Sequence, residues 1–122
     1  MNASGITTHV LDTTAGRPAV GVAVELLARD ADADADGVGV GDGWRLVATS
    51  VTDADGRVAQ LGSEPLAAGE YRLRFDTGAY FAARSVDTFY PEVLITFVVA
   101  GGAHCHVPLL LSPFAYSTYR GS

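Results

Sequence analysis

The stretch "EYRLRFDTGAYFAARS", Glu70 to Ser85, contains both kinds of pattern found in this chain. Its first half alternates, with Tyr71, Leu73 and Phe75 on one face of an extended segment and Arg72 and Arg74 on the other. That period of two is the signature of a half-buried strand. Its second half, "TGAYFAARS", is the only segment suited to a short helix, with Thr77 available as N-cap and Tyr80 and Phe81 to pack it down. The same alternation recurs on both sides. In "ITTHVLD" it sets Ile6, Thr8 and Val10 against Thr7, His9 and Leu11, and in "VGVAVELLA" it aligns Val20, Val22, Val24 and Leu26. "WRLVATSVT" reads as another strand, and the Asp-Gly pair of "DADGR" after it predicts a hairpin turn from which Arg57 emerges. "PEVLITFVVA" is apolar throughout and reads as a central strand opened by Pro91, where a missing N–H does least harm. "AHCHVPLLLS" and "FAYSTYRGS" give two last strands joined across Ser112-Pro113. About seven or eight short strands with one short helix predict an all-β fold, a sandwich of two sheets.

Composition agrees. At 122 residues, with 48% apolar and 18% charged side chains, the chain is expected to form one domain over residues 1–122 with a buried core. The segment "RDADADADGVGVGDGW" interrupts the pattern and is expected to form a mobile, acidic and glycine-rich loop over about residues 30–43. Its "DADADG", Asp32 to Gly37, matches the opening of an EF-hand calcium loop. The twelfth position falls on Gly43, however, where that loop needs a bidentate glutamate. The net charge is −6, all the basic residues are arginine, and no basic surface suited to nucleic acid is expected. Any anionic ligand would need a local arginine to offset this background. A single cysteine excludes an intrachain disulfide. The start lacks a basic-then-apolar leader and no apolar run is long enough to span a membrane, so a cytoplasmic protein is expected.

Three histidines, His9, His104 and His106, lie on two segments distant in sequence. Alternation places His104 and His106 on one face and Cys105 on the other, where a thiol is expected to be core. Zinc spacings are missing, as are the GxSxG, HExxH and P-loop motifs, so no metal or cofactor is expected. The residues left for chemistry are histidines and an arginine. Histidine moves protons near neutral pH, and arginine holds a carbonyl or oxyanion. By spacing alone, histidines on half-buried strands are more often structural than catalytic.

"HVLDTTAGRPAVGVAVEL", His9 to Leu26, and "HVPLLLSPFAYSTYRGS", His106 to Ser122, resemble the two signature regions of the transthyretin-like proteins. The final Tyr-Arg-Gly-Ser resembles the ending of that family's hydrolase branch, and "TDADGR", "FDTGAYFAAR" and "FYPEVLITF" follow in family order. The resemblance implies a transthyretin-like sandwich of two four-stranded sheets with one short helix, assembled as a homotetramer from two dimers. It implies cofactor-free hydrolysis of a small molecule, 5-hydroxyisourate, in urate degradation. Carried over by position, it implies His9, Arg57, His106 and Ser122 as catalytic residues and Tyr119, Arg120 and Gly121 as substrate-binding residues. The alternative within the family is a non-catalytic carrier of small ligands, which has lysine, glutamate and threonine where His9, Arg57 and His106 stand. Cys105 and Phe114 depart from the aromatic residue and the tyrosine common at those positions, which bears on packing more than on chemistry. The acidic loop has the character of an insertion.

Overall fold

A computed structural model describes residues 5–29, 43–62, 66–102 and 104–121. The acidic segment before Gly43, with its "DADADG", lies outside the described residues, as does Ser122. The described residues form nine strands and one short helix: β1 (Gly5–Asp12), β2 (Arg17–Pro18), β3 (Ala23–Arg29), β4 (Trp44–Val51), β5 (Arg57–Leu61), β6 (Gly69–Phe75), α1 (Thr77–Ala82), β7 (Val93–Val99), β8 (His104–Ser112) and β9 (Ala115–Thr118). No helix among them is long and apolar enough to cross a membrane.

Two sheets face each other, as the alternation predicts. In the first, β1 pairs in parallel with β8 along its whole length, from Gly5↔His104 to Asp12↔Leu111. The other edge of β1 is shared, antiparallel, between β5 and the two-residue β2, while β9 adds to β8. The short β2 raises this sheet from the expected four strands to five. The second sheet has the order β4-β3-β6-β7. Between them lie Ile6 and Val10 of β1, Val24 and Leu26 of β3, Leu73 and Phe75 of β6, and Leu109 and Leu111 of β8, all fully buried. Each such side chain contributes roughly 1.5–3 kcal/mol by leaving water.

Four expectations need correction. The Asp-Gly turn does not close a hairpin: β4 belongs to the second sheet and β5 pairs with β1 in the first, so the turn carries the chain across the sandwich. The buried Thr52 anchors this crossing, its hydroxyl donating to Ala19 O at 2.7 Å and accepting from Val22 N at 2.9 Å. The apolar β7 is an edge strand with Leu94 and Val98 exposed, not a central one. Asp76 caps α1, its carboxylate accepting from Ala79 N at 3.2 Å, while Thr77 is the first helical residue and is buried. Val20 precedes β3 in a turn and is exposed, so only Val22, Val24 and Leu26 reach the core.

A buried polar pair fastens α1 to β1. Asp12 at the end of β1 accepts from the Tyr80 hydroxyl at 2.7 Å and from Ala15 N at 2.9 Å. Burial, together with the bond to Asp12, pushes the Tyr80 phenol up to about 12. The Arg84 guanidinium lies 3.9 Å above the Tyr80 ring. Replacing Tyr80 with phenylalanine leaves a buried carboxylate short of one donor, at an expected cost of about 1–3 kcal/mol. Urea denaturation of the two proteins measures it, and equal midpoints would show that the pair adds nothing.

Candidate active site

The outer face of the first sheet carries the residues of interest. Thr7 and His9 share that face of β1, because Thr8 and Val10 between and beyond them point into the core. The antiparallel register sets Arg57 of β5 directly opposite His9. Side chains at directly opposite positions have Cβ atoms about 5 Å apart, so the imidazole and the guanidinium are neighbours. On the other side of β1 the parallel register sets His106 of β8 beside Thr7. Residues 9, 57 and 106, far apart in sequence, therefore meet on three adjacent strands.

The crossing turn places Arg57. The Asp53 carboxylate accepts from the backbone N–H of Asp55 at 2.8 Å and of Arg57 at 3.0 Å, and these bonds hold its pKa below the ordinary aspartate value. Gly56 adopts φ +75°, and its carbonyl accepts from Val10 N at 2.7 Å. A Cβ at that position would lie 2.4 Å from Val10 O, so glycine is required both by conformation and by space. No carboxylate among the described residues lies within ion-pair distance of Arg57, which leaves its guanidinium available to a ligand.

The hydrogen bonds also constrain the imidazoles. His9 Nε2 lies 2.9 Å from the Asp55 carbonyl, so that nitrogen carries a proton and donates it to the carbonyl. His106 Nδ1 lies 2.8 Å from Thr7 Oγ1, while its Nε2 has no hydrogen-bond partner among the described residues. Partial burial, reinforced by the positive charges of Arg57 and His9, holds the His106 pKa below the ordinary histidine value. His106 is neutral at pH 7 and can accept a proton.

A groove of about 400 Å³ is lined by Thr7, Asp53, Arg57, Ala59, His104 and His106. His106 also borders a second, more apolar groove of about 360 Å³, with Phe97, Cys105, Tyr119 and Arg120 among its other walls. The chain after β9 folds back against His106: Gly121 N donates to His106 O at 2.8 Å, and a Cβ on Gly121 would lie 2.4 Å from the ring. Of the expected site residues, His9, Arg57, His106 and Gly121 thus lie together, and Tyr119 and Arg120 lie on the far side of His106. Cys105 is half-buried, packed against the core but also lining the second groove, and so is less enclosed than the core position expected. No cluster of potential metal ligands occurs among the described residues. Sequence reasoning did not single out Thr7 or Asp53, and gave no role to His104; the alternation that placed His9 also placed Thr7 on its face.

The sequence pattern of the HIUase/Transthyretin family matches this chain from residue 6 to residue 121. The chain belongs to that family. It is 44% identical to the 5-hydroxyisourate hydrolase of Salmonella dublin over 96% of this chain and 80% of that protein. The structure of Klebsiella pneumoniae 5-hydroxyisourate hydrolase superimposes with a TM-score of 0.80 at 38% identity, covering 98% of this chain and 94% of that one. Sea bream transthyretin in complex with thyroxine superimposes with a TM-score of 0.82 at 34% identity, covering 95% and 93%. The HIUase/Transthyretin fold is thus common to an enzyme and to a protein found in complex with thyroxine, so the fold alone does not decide between them.

Proposed function

We propose that this chain hydrolyses 5-hydroxyisourate to 2-oxo-4-hydroxy-4-carboxy-5-ureidoimidazoline, a step of urate breakdown. The observation that carries the reading is the meeting of His9, Arg57 and His106 on three adjacent strands, with Arg57 and His106 lining one groove. His106, neutral and with Nε2 free, takes a proton from water. The resulting hydroxide adds to the ring carbonyl, the C–N bond of the cyclic amide breaks, and a proton passes to the leaving nitrogen. Arg57 holds the carbonyl oxygen as negative charge develops on it, and locally offsets the net charge of −6. His9, fixed by the Asp55 carbonyl, orients water from the neighbouring strand. Tyr119, Arg120 and Gly121 complete the substrate's surroundings, and Ser122 is given its catalytic role by the family resemblance alone. What favours an enzyme over a non-catalytic carrier is a neutral histidine with a free Nε2 beside an arginine with no carboxylate partner among the described residues, a pairing suited to proton transfer.

The test is to generate 5-hydroxyisourate from urate in situ and follow its ultraviolet decay with and without the protein. Accelerated decay supports the hydrolase; an unchanged spontaneous rate refutes it. The activity depends on unprotonated His106, so it is present above the folded-state pKa and lost as pH falls through it. Because that pKa is lowered, the acid limb of the kcat/KM profile, which reports the free enzyme, is expected below the ordinary histidine value of 6.5. A limb at or above that value would contradict His106 as the base.

The homotetramer is proposed on the same footing. Its support is the pair of exposed strand edges, β9 exposed along its whole length and β7 with Val98 at 75% exposure. Unpaired edges of this kind are templates for pairing with another chain. Mass measurement in solution distinguishes a tetramer from a monomer.

A further inference from the structure

Thr7 is hydrogen-bonded to two histidines at once. Its Oγ1 lies 2.8 Å from His106 Nδ1 and 3.4 Å from His104 Nε2, the second contact at the long end of the range. The parallel register of β1 and β8 produces this, because Thr7 pairs with His106 while His104 stands one pleat away on the same face of β8. A hydroxyl has one proton and two lone pairs, so between two neutral imidazoles it satisfies both in either of two directions. In one, His106 Nδ1–H donates to Oγ1 and the hydroxyl donates to His104 Nε2. In the other, His104 Nε2–H donates to Oγ1 and the hydroxyl donates to His106 Nδ1.

We propose that Thr7 and His104 form a proton relay behind His106, through which the proton that His106 takes from water at Nε2 is matched by one leaving Nδ1 for Thr7 and His104. The transfer balances. The Nδ1 proton of His106 passes to Thr7 Oγ1, the Thr7 hydroxyl proton passes to His104 Nε2, and the positive charge comes to rest on His104. His106 is left neutral with its proton on Nε2, where it can be given to the leaving nitrogen. The reverse relay then resupplies Nδ1 from His104. Both Thr7 and His104 are positioning residues in this scheme, since neither touches the reacting atoms.

The surroundings give the relay its advantage. A cation on half-buried His106 is opposed by Arg57 from β5, His9 from β1 and the neighbouring His104, with Arg120 across the second groove and Asp53 in the crossing turn as the nearby carboxylate. His104 is exposed, and water stabilises its charge better than the half-buried position can. The relay therefore moves positive charge out of the most crowded part of the site.

The inference rests on the hydrolase reading, and its test separates the two. Thr7→Val keeps the shape of the side chain on the outer face and removes the hydroxyl. We expect kcat to fall about 10–100-fold with KM little changed, a fraction of the full acid–base contribution. Thr7→Ser is expected to restore most of the rate. His104→Gln, which cannot store the proton, is expected to lower kcat similarly, and added imidazole is expected to rescue His104→Ala. Nitrogen-15 spectra of the histidines provide a readout independent of turnover, and Thr7→Val is expected to shift the His106 tautomer balance. Wild-type rates for both Thr7→Val and His104→Gln would overturn the relay, as would a loss in Thr7→Val that Thr7→Ser does not recover, or an unchanged His106 tautomer. An inactive unmodified chain would instead overturn the hydrolase reading, and the spectra would still decide whether Thr7 sets the tautomer.

Discussion

His106→Ala is expected to lower kcat for 5-hydroxyisourate by about 10²–10⁴-fold, the usual contribution of a general acid–base group. The ring lies on the outer face of its sheet, between two grooves and away from the fully buried core, so its removal leaves the packing of Leu109 and Leu111 intact. The thermal transition is accordingly expected to change little. Decay assays beside a melting curve check both halves of this expectation. A variant that folds and turns over at the unmodified rate would remove His106 from the chemistry. Arg57→Ala is expected to cost about 10²–10³-fold through loss of the charge held against the developing oxyanion.

Gly56→Ala is the substitution expected to harm stability most. At φ +75° a side chain costs about 1–2 kcal/mol, and forcing a Cβ against Val10 O, Pro18 and the backbone of Ala19 adds about 1–3 kcal/mol more. The combined loss is expected to be about 2–5 kcal/mol, read from the midpoint of chemical denaturation. Relief of the clash would also break the bond between Val10 N and Gly56 O and move the neighbouring Arg57, so residual activity is expected to fall beyond what the unfolded fraction explains. A stable, fully active Gly56→Ala protein would show that the crossing turn does not set the position of Arg57.

The parts of the molecule that depend on local pattern were legible from sequence. Alternation in "ITTHVLD" assigns His9 to the face opposite Ile6 and Val10, and the structure places it there. "EYRLRFDT" and the short helix after it are likewise where the pattern puts them. What depends on strand pairing was not legible. An Asp-Gly turn fixes a tight reversal but not the sheet to which the next strand belongs, so the opposition of Arg57 and His9 appears only once β5 is seen beside β1. The apolar run of β7 looks the same in sequence whether its outer side meets another strand of this chain or an edge left open. Thr7 is inconspicuous for a similar reason: a threonine on a strand is ordinary, and its bridge between His104 and His106 exists only through the parallel register of β1 and β8.

The convergence of these groups is tested most directly by a double-substitution cycle. The decay rate of 5-hydroxyisourate is measured for the unmodified protein, His106→Ala, Arg57→Ala and the protein carrying both changes. Groups that act on one bound substrate as a unit are strongly non-additive, so the double variant is expected to lose little more than the worse single variant. Losses that simply multiply would mean that the histidine and the arginine act independently, and the shared site on the outer face would be contradicted.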